Sequence, residues 1–176
     1  MFSREKKMDE KEEKITEILC EKYNSYYRMA YSFVKNESDA EDIVQEGAYK
    51  AKKNSDSLKN VEYASTWLYR IMLNEIYRFT AERKKIISLD DTLMAGFESE
   101  DKYEDIDLKR ALESMSTSDQ VVIQLKYFEE FKLEEIAKVL DENVNTIKSR
   151  LYRSLKKLKI ELQNGEIGDK EVKPNA

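Results

Sequence analysis

The sequence predicts an all-α protein of two small helical domains joined by a flexible acidic linker, and three observations predict it. Residues 1–160 hold only Gly47 and Gly96 and no proline, so little interrupts a helix. Apolar residues recur at helical spacing through most of that length, which is the pattern of amphipathic helices. Between two such regions, Asp90, Asp91, Glu98, Glu100, Asp101, Glu104, Asp105 and Asp107 face a single cation, Lys102, with no sustained periodicity. That suits a connection better than a packed element. With 176 residues, 40% apolar and 38% charged, composition allows a core in one domain or in two. The acidic run decides for two.

In the first domain, Ile15, Ile18, Leu19, Tyr23, Tyr26, Tyr27, Ala30 and Val34 predict one long helix from about Asp9 to Val34, stopped at Asn36. Ser38, followed three residues later by Glu41, has the form of a capping box for a second helix that carries Ile43 and Val44 and runs to about Asn54. Gly47 within it costs about 1 kcal/mol relative to Ala, which marks a place of close packing. Ser55 to Tyr63 is a short polar connection, and Thr66 opens a third helix that ends in Arg83, Lys84 and Lys85. The domain is placed at 1–85 and the linker at 86–105.

The second domain, 106–163, opens with Ile106, Leu108, Ala111, Leu112 and Met115. Ser116 or Ser118 then caps a helix bearing Val121, Val122, Leu125 and Phe128. Two more helices follow. Leu133, Ile136, Ala137 and Leu140 line one face of the first, and Ile147, Leu151, Leu155 and Leu158 one face of the second. Asp141 to Val144 lie between them, which makes a helix-turn-helix. Residues 164–176 carry too few apolar groups to fold and are expected to be a disordered tail.

Several function classes drop out. Cys20 is alone and there is no histidine, so neither an internal disulfide nor a usual zinc site is expected, and no cofactor is implied. No Gly-rich phosphate loop occurs, and no Ser or Cys stands with a plausible base, so no enzyme is expected. Met1 to Lys14 has no apolar leader core, and no stretch approaches the roughly 20 apolar residues of a membrane span. A cytoplasmic protein without membrane insertion is expected. The net charge of -5 argues against indiscriminate coating of nucleic acid, yet from Val144 to Ile160 the charged residues are Lys148, Arg150, Arg153, Lys156, Lys157 and Lys159, with no acid among them.

If Ile147, Leu151, Leu155 and Leu158 face inward, the helical period turns Ser149, Tyr152, Arg153 and Lys156 outward, with Lys148 near the N-terminus on the same side. Cations bond guanine edges or neutralise phosphate, a Ser hydroxyl suits either, and Tyr offers contact with a thymine methyl. An isolated basic amphipathic helix fits a solvated surface, a partner helix or acidic lipid as well as it fits DNA. The preceding helix, with small Ala137 at mid-length and a short turn, favours DNA. Arg150 lies between the two faces.

The runs LEEIAKVL (133–140) and NTIKSRLYR (145–153) resemble region 4 of the extracytoplasmic-function sigma factors. DAEDIVQE (39–46) resembles their region 2.2, and TWLYRI (66–71), ending at Asn74, their region 2.3 to 2.4. Together these cover about residues 15–160. The resemblance implies a subunit of bacterial RNA polymerase that recognises promoter DNA. Lys148, Ser149, Tyr152 and Arg153 then look like readers of the -35 element, with Thr146 and Arg150 on the phosphate backbone. At the -10 element the family flips a base into a pocket, for which Lys59, Asn60, Tyr63 and Asn74 are the matching residues. Arg70, Arg78, Arg83 and Lys84 fit backbone contacts, and Trp67 reads equally as a core anchor and as a DNA contact.

Asp42, Gln45 and Glu46 alone fit a solvated face better than a docking site. The resemblance implies that, with Asp39, they dock on the β′ clamp helices of core polymerase, while region 4 engages the β flap and the linker follows the RNA exit path. Where the family often has Gly, this chain has Asp141, Asn145 and Asn60, residue types that tolerate left-handed backbone. The segment 128–137 (FEEFKLEEIA) and the turn 143–146 look most like the sigma-V type, tied to envelope stress, which implies a membrane-anchored anti-sigma factor. The competing reading is a two-domain helix-turn-helix regulator that acts outside the polymerase.

Overall fold

The computed structural model describes residues 2–89 and 106–170, and the chain divides into two compact units, residues 1–99 and 100–176. Both are helical. The first holds α1 (Phe2–Glu21), α2 (Tyr23–Val34), α3 (Glu37–Lys53) and α4 (Ala64–Leu89). The second holds α5 (Ile106–Glu113), α6 (Thr117–Ile123), α7 (Leu133–Leu140) and α8 (Val144–Lys170).

The single long helix expected over 9–34 is two. The chain bends at Lys22 (φ -100°, ψ 8°), in the sparsely populated bridge region. Hydrogen bonds cross the bend on both sides, Lys22 N–H to the Ile18 carbonyl at 2.8 Å and Tyr26 N–H to the Lys22 carbonyl at 3.0 Å. Neither Gly nor Pro is needed there, so the apolar period passes through unbroken. The start of α3 also differs from expectation. Asn36, extended at φ -143°, is the cap, its Oδ1 accepting from Asp39 N–H at 2.9 Å. Ser38 lies inside the first turn. Asn is as good a cap as Ser, and this register puts Glu37 and Asp39 on the positive end of the helix.

Ile15 and Ile18 of α1, Tyr26 and Met29 of α2, Ile43 and Val44 of α3, and Leu68, Tyr69, Met72, Leu73 and Ile76 of α4 form the core of the first unit. The Tyr26 and Tyr69 rings meet edge to face at 4.8 Å. A Cβ at Gly47 would run into Met72 Sδ. The glycine therefore lets α3 and α4 approach closely, as its cost in mid-helix suggested. Two 3-10 turns, Ser55–Ser57 and Val61–Tyr63, link α3 to α4. Helix α4 passes the expected domain end at Lys85 and reaches Leu89. The remainder of the expected linker, 90–105, lies outside the described residues.

In the second unit Ser116 caps α6, its Oγ accepting from Asp119 N–H at 3.3 Å. The helix then widens into a π turn, Gln124–Phe128, and reverses through Glu130 at φ 59°. Ile136, Ala137 and Val139 of α7 pack with Ile147 and Leu151 of α8. Leu133, Leu140, Leu155 and Leu158 are only half-buried, whereas Ser154, one turn beyond Leu151, is fully buried. Asp141 ends α7 in the left-handed region, φ 56°, as its residue type allows. The other two presumed glycine substitutes do otherwise: Asn145 is helical and Asn60 is extended at φ -138°.

The tail expected from Asn164 onward is helical as far as Lys170. Once a helix is nucleated, each further residue gains one bond for one residue fixed, and no proline intervenes before Pro174. Residues 171–176 lie outside the described residues.

Candidate nucleic-acid interface

The α7–α8 turn sets the recognition face. Asn143 Oδ1 accepts from Asn145 N–H at 2.8 Å, and Glu142 N–H reaches back to the Ala137 carbonyl at 3.0 Å. With Ile147 and Leu151 turned inward, Thr146, Lys148, Ser149, Tyr152, Arg153 and Lys156 are all exposed, Tyr152 at 63%. Lys148, Ser149, Tyr152 and Arg153 make no side-chain hydrogen bond or ion pair among the described residues. A hydroxyl, a phenol and two cations thus stand open on one side of a helix, as the apolar period required.

Arg150 is not among them. Its Nη1 and Nη2 donate to Glu142 Oε1 and Oε2 at 2.9 and 2.8 Å, and only 18% of its side chain is exposed. The expected phosphate contact is occupied by a carboxylate of the same chain. Arg150 stands one turn beyond Ile147, at the flank of the packed face, within reach of the turn. Lys157 similarly bonds Asp119 at 3.2 Å. Burial opposes ionisation of Asp119, but the Ser116 hydroxyl and the Lys157 ammonium beside it outweigh that and hold the carboxyl below its ordinary value.

In the first unit, Tyr63, Trp67, Arg70 and Asn74 follow the spacing i, i+4, i+7, i+11 and form one stripe. Tyr63, Arg70 and Asn74 are exposed and Trp67 is half-buried, so its indole serves packing and surface together. Tyr77, at the next position of the stripe, is also exposed. It was missed by sequence reasoning, although its spacing from Arg70 and Asn74 carried the signal. Lys59 and Asn60 are exposed beside the stripe's start. The Asn60 side chain is engaged locally, its Oδ1 accepting from Glu62 N–H at 2.9 Å.

Arg78 turns away from the stripe. It donates to the buried Glu75 carboxylate at 2.8 and 3.0 Å and to Glu82 at 3.1 Å. Lys50 of α3 reaches Glu75 at 2.6 Å from the other side. Burial raises the Glu75 carboxyl, and the bonds from Lys50 and Arg78 overcome that and lower it. Arg78 was expected on the DNA backbone; here Glu75 and Glu82 engage its guanidinium along the inner face, toward α3, with 46% of the side chain exposed.

That inner face is a groove of about 550 Å³ between α3 and α4, lined by Asp42, Ile43, Gln45, Glu46, Tyr49, Arg78, Phe79 and Glu82. Three of the residues expected to dock a partner, Asp42, Gln45 and Glu46, therefore share one concavity. Asp39, the fourth, is paired with Arg83 at 2.9 Å and is not in the lining. Tyr49 and Phe79 escaped sequence reading, which looked there for polar groups alone. Among the described residues there is no cluster able to hold a metal ion, and no helix is long and apolar enough to cross a membrane.

Two helical units, one of them ending in a helix-turn-helix with an open basic face, define a DNA-binding protein of the helix-turn-helix class. The family model for Sigma-70 region 2 matches residues 21–86, and that for Sigma-70, region 4 matches residues 105–158. RNA polymerase sigma factor SigV of Bacillus subtilis is 40% identical over 144 residues, 81% of this chain and 87% of that protein. ECF RNA polymerase sigma factor SigW of the same organism is 33% identical over 156 residues, 78% of this chain and 83% of that one. Among solved structures, sigma factor RpoE of Bartonella quintana, in complex with anti-sigma factor NepR, superposes with a TM-score of 0.69 at 26% identity, covering 84% of this chain and 96% of that one.

The chain belongs to the extracytoplasmic-function group of the sigma-70 family. It is a sigma factor, a non-enzymatic subunit of transcription initiation, which sets aside the regulator acting outside the polymerase.

Proposed function

We propose that the two units form a bipartite promoter grip. The α8 face of Lys148, Ser149, Tyr152 and Arg153 reads the -35 element in the major groove, with Thr146 on the backbone. The stripe of Tyr63, Trp67, Arg70 and Asn74, with Lys59 and Asn60, holds the -10 strand. The observation that carries this reading is that the four α8 side chains make no side-chain hydrogen bond or ion pair among the described residues. Side chains without internal bonds are free to exchange water for base edges. Asn74, an exposed amide able both to donate and to accept, suits the edge of an extruded base.

The α3–α4 groove supplies the dock for the β′ clamp helices of core polymerase, its acids and apolar walls suiting a basic amphipathic partner, while the second unit engages the β flap. The linker follows the RNA exit path, its acidity standing in for nucleic acid. A membrane-anchored anti-sigma factor restrains the protein in the cytoplasm, and an envelope-stress signal releases it. Likeness to a sigma factor solved in complex with an anti-sigma factor supports restraint by such a partner. Footprinting of the holoenzyme on a promoter it transcribes tests the grip. Protection at both -35 and -10 is expected, and protection confined to either one would overturn it.

A further inference from the structure

Glu142 and Arg150 form a closed pair beside the start of the recognition helix. The contact is bidentate at 2.9 and 2.8 Å, and the two side chains are 31% and 18% exposed. Of the six cations from Val144 to Ile160, Arg150 alone has its guanidinium matched edge to edge by a carboxylate among the described residues. Its partner is the acid that immediately precedes the capping residue Asn143. Helix N-termini favour phosphate, and the guanidinium geometry that fits a carboxylate fits a phosphate equally well. One arginine cannot satisfy both at once.

We propose that Glu142 is a brake on sequence-independent DNA binding: by holding Arg150 it withholds one phosphate contact from the -35 interface, so that binding there depends on the base-reading side chains. Exchange on the DNA is disfavoured because it would leave the Glu142 carboxylate unpaired, next to phosphates and partly out of water. The pair therefore stays closed in the complex. This inference rests on the reading of α8 as the -35 helix.

The test uses holoenzyme reconstituted with core polymerase, on duplexes with an intact or a scrambled -35 element, titrated with salt. Glu142→Gln keeps the shape and removes the charge. It is expected to tighten binding to both duplexes about five- to tenfold near 0.1 M salt, and to steepen the salt dependence by roughly one unit, the share of one released phosphate counterion. In an Arg150→Gln background the same change is expected to give a clearly smaller gain and no steepening of the salt dependence, since only the repulsion of an unpaired carboxylate is then relieved. A gain of equal size without Arg150 would mean only general charge repulsion and would overturn the proposal. A loss of affinity on Glu142→Gln would make the pair a strut and overturn it too. If the unaltered holoenzyme does not prefer the intact -35 duplex, the reading of α8 itself fails, whatever Glu142 does.

Discussion

The outer stripe of α4 and the outer face of α8 both present cations and aromatic rings, but they are backed differently. Around α4 several polar groups are engaged within the unit, Arg78 with Glu75 and Glu82, Arg83 with Asp39 and Asn60 with its own turn, although among the described residues Asn74 is not. On α8, Lys148, Ser149, Tyr152 and Arg153 make no side-chain hydrogen bond or ion pair among the described residues, and the ion pairs are set to the sides, at Arg150 and Lys157. On the proposed function the difference is one of task. A helix that enters an intact groove must offer side chains ready to bond. A surface that receives an opened strand gains from side chains already fixed in place, since a splayed base brings its own stacking energy.

Removing the support of the α8 face should break the comparison most severely. Ile147 is fully buried beneath that face, and Ile147→Ala is expected to cost about 2–5 kcal/mol, read as a lower denaturation midpoint and loss of -35 binding. Unchanged stability would mean that the face is not held by this core.

Next in size is Arg153, the proposed reader. Arg153→Ala should weaken binding to an intact -35 element by roughly 1–3 kcal/mol while leaving association with core polymerase unchanged. Equal weakening on a scrambled element would make Arg153 a phosphate contact and erase the distinction drawn for α8.

On the other side, Glu75→Gln tests whether the first unit relies on its internal ion network. The carboxylate is buried but Lys50 and Arg78 are partly exposed, so a loss of about 1–2 kcal/mol is expected after allowance for solvent screening. The pH dependence has a definite sign. The folded carboxyl lies below its ordinary value of 4.5, so the unfolded chain binds the proton more readily. The contribution is whole above that value and is lost as pH falls through the lower folded one. Acid titration of unfolding in the wild type and in Glu75→Gln checks this, and the two curves should converge in acid.

The smallest effect is expected at Asn74. Asn74→Ala should slow promoter melting several-fold, on the order of 1 kcal/mol for a lost hydrogen bond, with little change in binding to closed duplex. Unchanged permanganate reactivity of the opened strand would count against an amide-to-base contact.

Much of the fold was legible because it follows from apolar period alone. The helices of both units, the turn at Asp141 and the outward set from Lys148 to Arg153 all come from where Ile, Leu and Val must point. What escaped reading has no period. The bend at Lys22 keeps its hydrogen bonds and leaves no mark in composition. Asn36 took the cap from Ser38 because both are good caps and only the final register separates them. For Arg78 and Arg150 sequence shows a charge but not its partner within the chain; Glu75 and Glu142 became visible only once the helices were packed.

The central claim is that each unit carries its own half of the promoter grip. Transcription by reconstituted holoenzyme, with wild type, Arg153→Ala and Asn74→Ala each run on promoters scrambled at -35 or at -10, tests it most directly. Arg153→Ala should lose its sensitivity to the -35 change and keep that to the -10 change, and Asn74→Ala the reverse. Two variants that respond alike to both scrambled promoters would contradict the division of labour between α4 and α8.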